Sequence, residues 1–203
     1  MIQALQETIT FAEFIEQKPD GKRYELHDGV IFEMSQPVGG HEDITGFLVI
    51  ELAFEFKRLN LPYFIPKQAL VKAPDRDVCY SPDVLILDRN TLKDEPFWKK
   101  ASTVTKGISV PLVIEVVSTN WHIDYGHKLA DYETLGIPEY WIIDYLALGG
   151  KRYIGNPKQP TISIYYLVEG EYQVSQFRGS DRLQSIIFPE LQLTAEQIFQ
   201  VAE

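Results

Sequence analysis

At 203 residues, 45% apolar and 12% aromatic, the chain is long enough to bury one sizeable core and short for a second complete one, so a single domain spanning 1–203 is expected. Its 19 basic residues stand against 29 acidic ones, a formal net charge of -10, which excludes a protein that grips nucleic acid through a broad basic face; any phosphate contact must be local. No stretch approaches the roughly 20 apolar residues of a membrane span, and residues 1–7 lack the basic-then-apolar order of a secretory signal, so a cytoplasmic protein without membrane contact is expected. Cys79 is the lone cysteine; between Val78 and Tyr80 it reads as a small core residue.

In chain order, Thr10 with Glu13 forms a capping box that opens a short helix carrying Phe11, Phe14 and Ile15, which Pro19-Asp20-Gly21 stops. Asp28-Gly29 between Tyr24-Glu25-Leu26 and Val30-Ile31-Phe32 predicts a hairpin, because both central turn positions need positive φ. Over 41–60, Ile44, Phe47, Leu48, Glu51, Leu52 and Leu59 recur at helical spacing without a proline, which predicts the first long helix.

Three strands are predicted next, over 63–71, 83–87 and 112–117; the last two are nearly continuous apolar runs of the kind found where both faces of a sheet are covered. The Lys-, Asp- and Thr-rich stretch 88–109 reads as an irregular excursion with Phe97-Trp98 tucked against the body. A second helix is predicted over 124–135, closed by Gly136 with Pro138 beyond, and a buried strand over 139–145. Gly149-Gly150 reads as a linker. Strand-like runs at 161–168, 171–177 and 183–188 extend the sheet, and Thr194 with Gln197 opens a small terminal helix. The fold class is α/β, mixed, in the order helix, three strands, helix, strand, with an N-terminal helix-hairpin and C-terminal strand extensions.

The chemistry is carried by Asp83 at the head of one apolar strand and Glu115 within the next, since an isolated carboxylate is costly to bury. An Arg or Lys partner, backbone N–H groups, or a hard divalent cation would each compensate them. There is no phosphate-cradling glycine loop, no dinucleotide motif and no His-Glu-x-x-His.

Ser81-Pro82-Asp83-Val84, Leu112-Val113-Ile114-Glu115-Val116-Val117-Ser118, Lys128 with Tyr132, Tyr24-Glu25-Leu26-His27-Asp28-Gly29, Gly40-His41, Gly136-Ile137-Pro138-Glu139-Tyr140-Trp141 and Phe188-Pro189-Glu190-Leu191 together cover nearly the whole chain. They resemble the PD-(D/E)XK nuclease superfamily, and more closely the bacterial family of "putative restriction endonucleases" once filed as a domain of unknown function. The resemblance implies a restriction-endonuclease-like core, a mixed four-stranded sheet with a helix on each face, and Mg²⁺- or Mn²⁺-dependent hydrolysis of DNA. It assigns Asp83 and Glu115 as metal ligands and catalytic residues. The position two after Glu115, where the superfamily carries its lysine, is Val117; the resemblance places Lys128 in that role instead.

Accessory roles are expected of Glu25 as a third acidic ligand or an orienting group, of His41 and Gln68 near the phosphate, and of Tyr132, which shares a helical face with Lys128. Two rivals stand beside the nuclease: a catalytically inactive nuclease-fold binding or regulatory module, favoured by Val117 and the net acidity, and an acid-base hydrolase of sugars. A homodimer is expected, because cutting both strands of a duplex calls for two sites.

Overall fold

The computed structural model describes residues 8–18 and 21–203; the reading of residues 1–7 and the expected stop at Pro19-Asp20 fall outside them. Helix α1 (Phe11–Gln17) opens on the expected capping box, in which the Thr10 hydroxyl accepts from the Glu13 N–H and the Glu13 carboxylate accepts from the Thr10 N–H. Strands β1 (Tyr24–His27) and β2 (Val30–Glu33) form the expected hairpin, with Asp28 at φ 48° and Gly29 at φ 81°. Helix α2 (Gly39–Arg58) buries Ile44, Leu48, Leu52 and Phe56 as one stripe, each contributing about 1.5–3 kcal/mol. Phe47 and Leu59 pack at its margin.

The strand expected over 63–71 divides into β3 (Tyr63–Phe64) and β4 (Leu70–Lys72), which belong to different sheets. Pro66 has no N–H to give a ladder, and the chain turns there. Strand β5 (Cys79–Tyr80) is added to the expected set, and β6 (Val84–Asp88) matches it. The stretch expected to be irregular is organised as α3 (Arg89–Leu92), α4 (Trp98–Ala101), β7 (Thr103–Val104) and a 3₁₀ turn, Gly107–Ser109. Buried Glu95 ties it down by accepting the N–H groups of Thr105 and Lys106. Phe97 and Trp98 tuck in as expected, against Phe11 and Phe64.

Strand β8 (Leu112–Val116) is followed by a π-helical segment, Ile123–Lys128, running into α5 (Leu129–Leu135), where the sequence predicts one continuous helix. Gly136 closes it at φ 80°. Strand β9 (Glu139–Asp144), helix α6 (Lys151–Ile154), β10 (Thr161–Val168), β11 (Glu171–Phe177) and α7 (Ala195–Gln200) complete the chain. Gly149-Gly150 is no linker: Gly149 is buried, its N–H donates to Asp144 at 2.8 Å, and a Cβ there would meet that carboxylate at 2.8 Å. The strand expected over 183–188 is not formed; one bridge, Arg182 to Thr194, holds that segment.

A six-stranded mixed sheet runs β11-β10-β9-β8-β6-β3, and a five-stranded sheet runs β2-β1-β5-β4-β7. The first contains the expected four-strand core, with β8 parallel to β9 and antiparallel to β6. Its one face packs on α2 and α7 through Val84, Ile86, Ile114, Trp141 and Ile143. The other packs on α5 and parts of the second sheet through Leu85, Val113, Tyr140 and Ile142.

Glu139, fully buried, fixes the C-terminal crossing by accepting the Trp141 indole N–H at 2.5 Å and the Ile186 and Ile187 N–H groups at 2.7 and 3.2 Å. A glutamine cannot accept on both oxygens, so Glu139→Gln is expected to cost about 1–3 kcal/mol, read as a lower urea midpoint at unchanged slope.

Candidate active site

Strands β6 and β8 pair with Val84 opposite Ile114, and one step along the same register Asp83 stands opposite Glu115. The Val116 N–H donates to Asp83 Oδ2 at 2.9 Å, and His41 Nε2, from the first turn of α2, lies 3.2 Å from the same oxygen. Glu115 shares its face of β8 with Val113 and Val117, the face turned toward α5. Two residues that a linear reading spreads along the chain thus become neighbours.

Lys128 comes up beneath them from the π-helical segment. Its Nζ lies 3.0 Å from Glu115 Oε1, 3.3 Å from Asp124 Oδ1 and 3.6 Å from Glu25 Oε1, with the side chain only 5% exposed. It is no solvated helix lysine. One turn on, the Tyr132 hydroxyl donates to Glu115 Oε1 at 3.1 Å. Glu25, on β1, accepts the Ser81 N–H at 2.9 Å and sits 2.8 Å from His27 Nε2. Among the carboxylates of the cluster, Asp83 at 13% and Asp124 at 11% side-chain exposure are the more open, against 3% for Glu25 and Glu115, so the site faces solvent on their side.

Four carboxylates therefore share one buried ammonium, and their protonation reflects the crowding. Burial pushes Glu115 well above the usual carboxylate range; Lys128 pulls against this, but Asp83, Asp124 and Glu25 push further up. Burial likewise raises Asp124 to about 6. For Asp83 and Glu25 burial is outweighed, in the first by the His41 hydrogen bond and in the second chiefly by Lys128, and both carboxyls sit below their ordinary values. Burial would lower Lys128, yet the surrounding carboxylates hold it well above the ordinary lysine value, so it stays an ammonium. His41 is raised, its burial overcome by Asp83.

Of the residues singled out in the sequence, Asp83, Glu115, Lys128, Glu25, His41 and Tyr132 converge here. Gln68 does not: it is exposed in the bend before β4, not on a strand. Ser118 is also exposed, in the turn after β8. Asp124 and His27 join the site without having been marked in the sequence. An acid four residues before a lysine on one helix was the available signal for Asp124; nothing local distinguishes His27.

The donor set suits a hard cation, being made of carboxylate oxygens with more negative charge than Lys128 offsets. Among the described residues no three His, Cys, Asp or Glu side chains form a ready-made cage. The fit is accordingly that of a site with two carboxylates, other positions being left to water and substrate oxygens.

No helix of the described residues is long and apolar enough to cross a membrane. Among curated proteins nothing matches the chain. A crystal structure from Anabaena variabilis, titled as that of a "putative nuclease belonging to DUF820", superposes with a TM-score of 0.71 at 18% identity, over 96% of this chain and 99% of that one; at that identity it speaks to the fold. A family model described as "Putative restriction endonuclease" matches residues 11–196. With the fold and nearly the whole length in agreement, the chain belongs to this family, Uma2.

Proposed function

We propose that the protein is a metal-dependent endonuclease of DNA, with Asp83 and Glu115 holding one Mg²⁺ or Mn²⁺ ion. The observation that carries this reading is the excess of buried carboxylate around Lys128: Asp83, just before β6 and bonded to the Val116 N–H, lies beside Glu115 of β8, which burial and the neighbouring acids hold well above its usual range, an arrangement that a divalent cation would relieve. The bound ion would supply charge neutralisation at the phosphoryl group and a more acidic water.

This chain's own groups do the rest. His41 and the Val116 N–H fix Asp83 in one orientation, and Tyr132 with Lys128 does so for Glu115. Lys128 acts as a donor and not as a base, because its proton is held tightly; its role is to orient water and steady negative charge growing on the phosphate. On this reading Lys128 takes from the helix the place of the strand lysine that Val117 leaves empty, and an inactive module, the alternative reading, would bind no metal at these carboxylates. Two copies acting on opposite strands would complete a double-strand cut, so pairing of the chain forms part of the reading.

Calorimetric titration of Mn²⁺ and Mg²⁺ into wild type and Asp83→Asn tests the metal directly and needs no knowledge of the substrate. One ion per chain in wild type and none in the variant is expected. Equal binding by both would exclude Asp83 as a ligand, and absence of binding in wild type would exclude the metal.

A further inference from the structure

Four of the chain's cations, Lys18, Lys22, Arg23 and Lys100, wall a groove of about 290 Å³ together with Gln68 and Ser81, and no carboxylate lines it among the described residues. In a chain of net charge -10 that is a local reversal of sign. A larger groove, about 760 Å³, has the opposite character: Glu51, Glu55 and Glu190 line it against Arg58, whose guanidinium already meets Glu55 and Glu190. A polyanion is repelled from the larger groove and attracted to the smaller.

The small groove is also joined to the candidate active site. Arg23, half-buried at its floor, donates to the Ser81 carbonyl at 2.9 Å, to the Ser81 hydroxyl at 3.1 Å and to the Pro82 carbonyl at 3.4 Å. All these acceptors are neutral, so they position the guanidinium without cancelling its charge. Ser81 in turn donates its N–H to Glu25, and Pro82 precedes Asp83. The groove floor and the carboxylate cluster are thus built on the same three residues, 81–83. Lys22 and Lys100 do meet Glu33 and Glu16, at 2.6 and 3.8 Å, but these are exposed pairs of the kind worth little against solvent, and a phosphate can replace either carboxylate.

We propose that this groove holds the phosphodiester backbone of one nucleic-acid strand beside the bond to be cut. The proposal rests on the nuclease reading of the carboxylate cluster and adds to it the path of the strand. It also reconciles an acidic chain with an anionic substrate: the repulsion of the whole molecule is overcome at one short basic groove whose floor shares Ser81 with the carboxylate cluster. A groove this small sits at the lower end of small-ligand volumes, which suits a short stretch of one strand's backbone.

The test measures anisotropy of a short fluorescein-labelled oligothymidylate with wild type and with Lys18→Gln/Lys100→Gln, across a KCl series in EDTA. Both lysines are exposed, so the variant folds, which circular dichroism checks. Wild type is expected to bind with a log-log salt dependence whose slope is shallower in the variant by about 0.7 for each phosphate that the two lysines neutralise, with weaker binding at every salt concentration. A variant with the wild-type slope, or a wild type that does not hold the oligonucleotide, overturns the groove. Cleavage assays of Asp83→Asn run alongside separate the two ideas. Cleavage abolished in Asp83→Asn with an unchanged slope in the lysine variant would sink the groove and leave the nuclease standing; intact cleavage with a reduced slope would keep the groove and remove Asp83 from the mechanism.

Discussion

Asp83→Asn is expected to lower phosphodiester cleavage by at least about 10³-fold, roughly 4 kcal/mol of barrier, while leaving the fold in place. The amide keeps a carbonyl oxygen for the Val116 N–H, so the end of β6 stays attached to β8. What it loses is the negative charge that His41 now holds in its ionised form and that the proposed metal needs as ligand. Because Asp83 is the most open acid of the cluster, its loss also removes the group best placed to meet an incoming ion. Cleavage of plasmid DNA in Mg²⁺ or Mn²⁺, with circular dichroism on the same preparation, reads both halves of the expectation. A folded variant that cuts like wild type removes Asp83 from the mechanism.

Lys128→Met is expected to be the most destabilising single change in the site, by about 3–5 kcal/mol near neutral pH, since it leaves buried carboxylates without their counter-charge. The pH dependence has a definite sign. A carboxyl whose folded pKa is raised contributes stability that is fully present below its unfolded pKa, about 4, and lost as pH rises through the folded value. Asp124 stands at about 6, and Glu115 is also raised, even with Lys128 in place; without the ammonium both move higher. The deficit relative to wild type should therefore be smallest below the ordinary carboxylate range, open as the pH rises through it, where Glu25 loses the ammonium that holds it down, and grow further as the pH passes about 6. Mn²⁺ at a hundredfold excess over the variant's own Kd should stabilise the variant itself by about 2.7 kcal/mol. Urea denaturation at several pH values, with and without Mn²⁺, gives all three readings. A variant as stable as wild type at neutral pH would mean that the ammonium does not hold the cluster together.

What could be read from the sequence is what short-range chemistry controls. The capping boxes at Thr10 and Thr194, the Asp28-Gly29 turn, the Gly136 stop and the apolar runs of β6, β8 and β9 each depend on a few consecutive residues, and they stand where the sequence predicts them. The pairing of Asp83 with Glu115 was legible only through the family pattern, because nothing in either segment names its partner. Tertiary structure alone decided the rest. Strand pairing is non-local, so composition could not say that Tyr63–Phe64 and Leu70–Lys72 join different sheets, or that 183–188 stays unpaired. The charge state of the site is likewise non-local, because Glu25, Asp83, Glu115 and the pair Asp124 and Lys128 arrive on four separate segments. A lysine that a helical reading leaves open to water is enclosed by acids, and an aspartate that reads as a helix start becomes one of them. Sequence determined which side chains carry charge; only the packing of β1, β6, β8 and the π-helical turn determined which charges share one buried space.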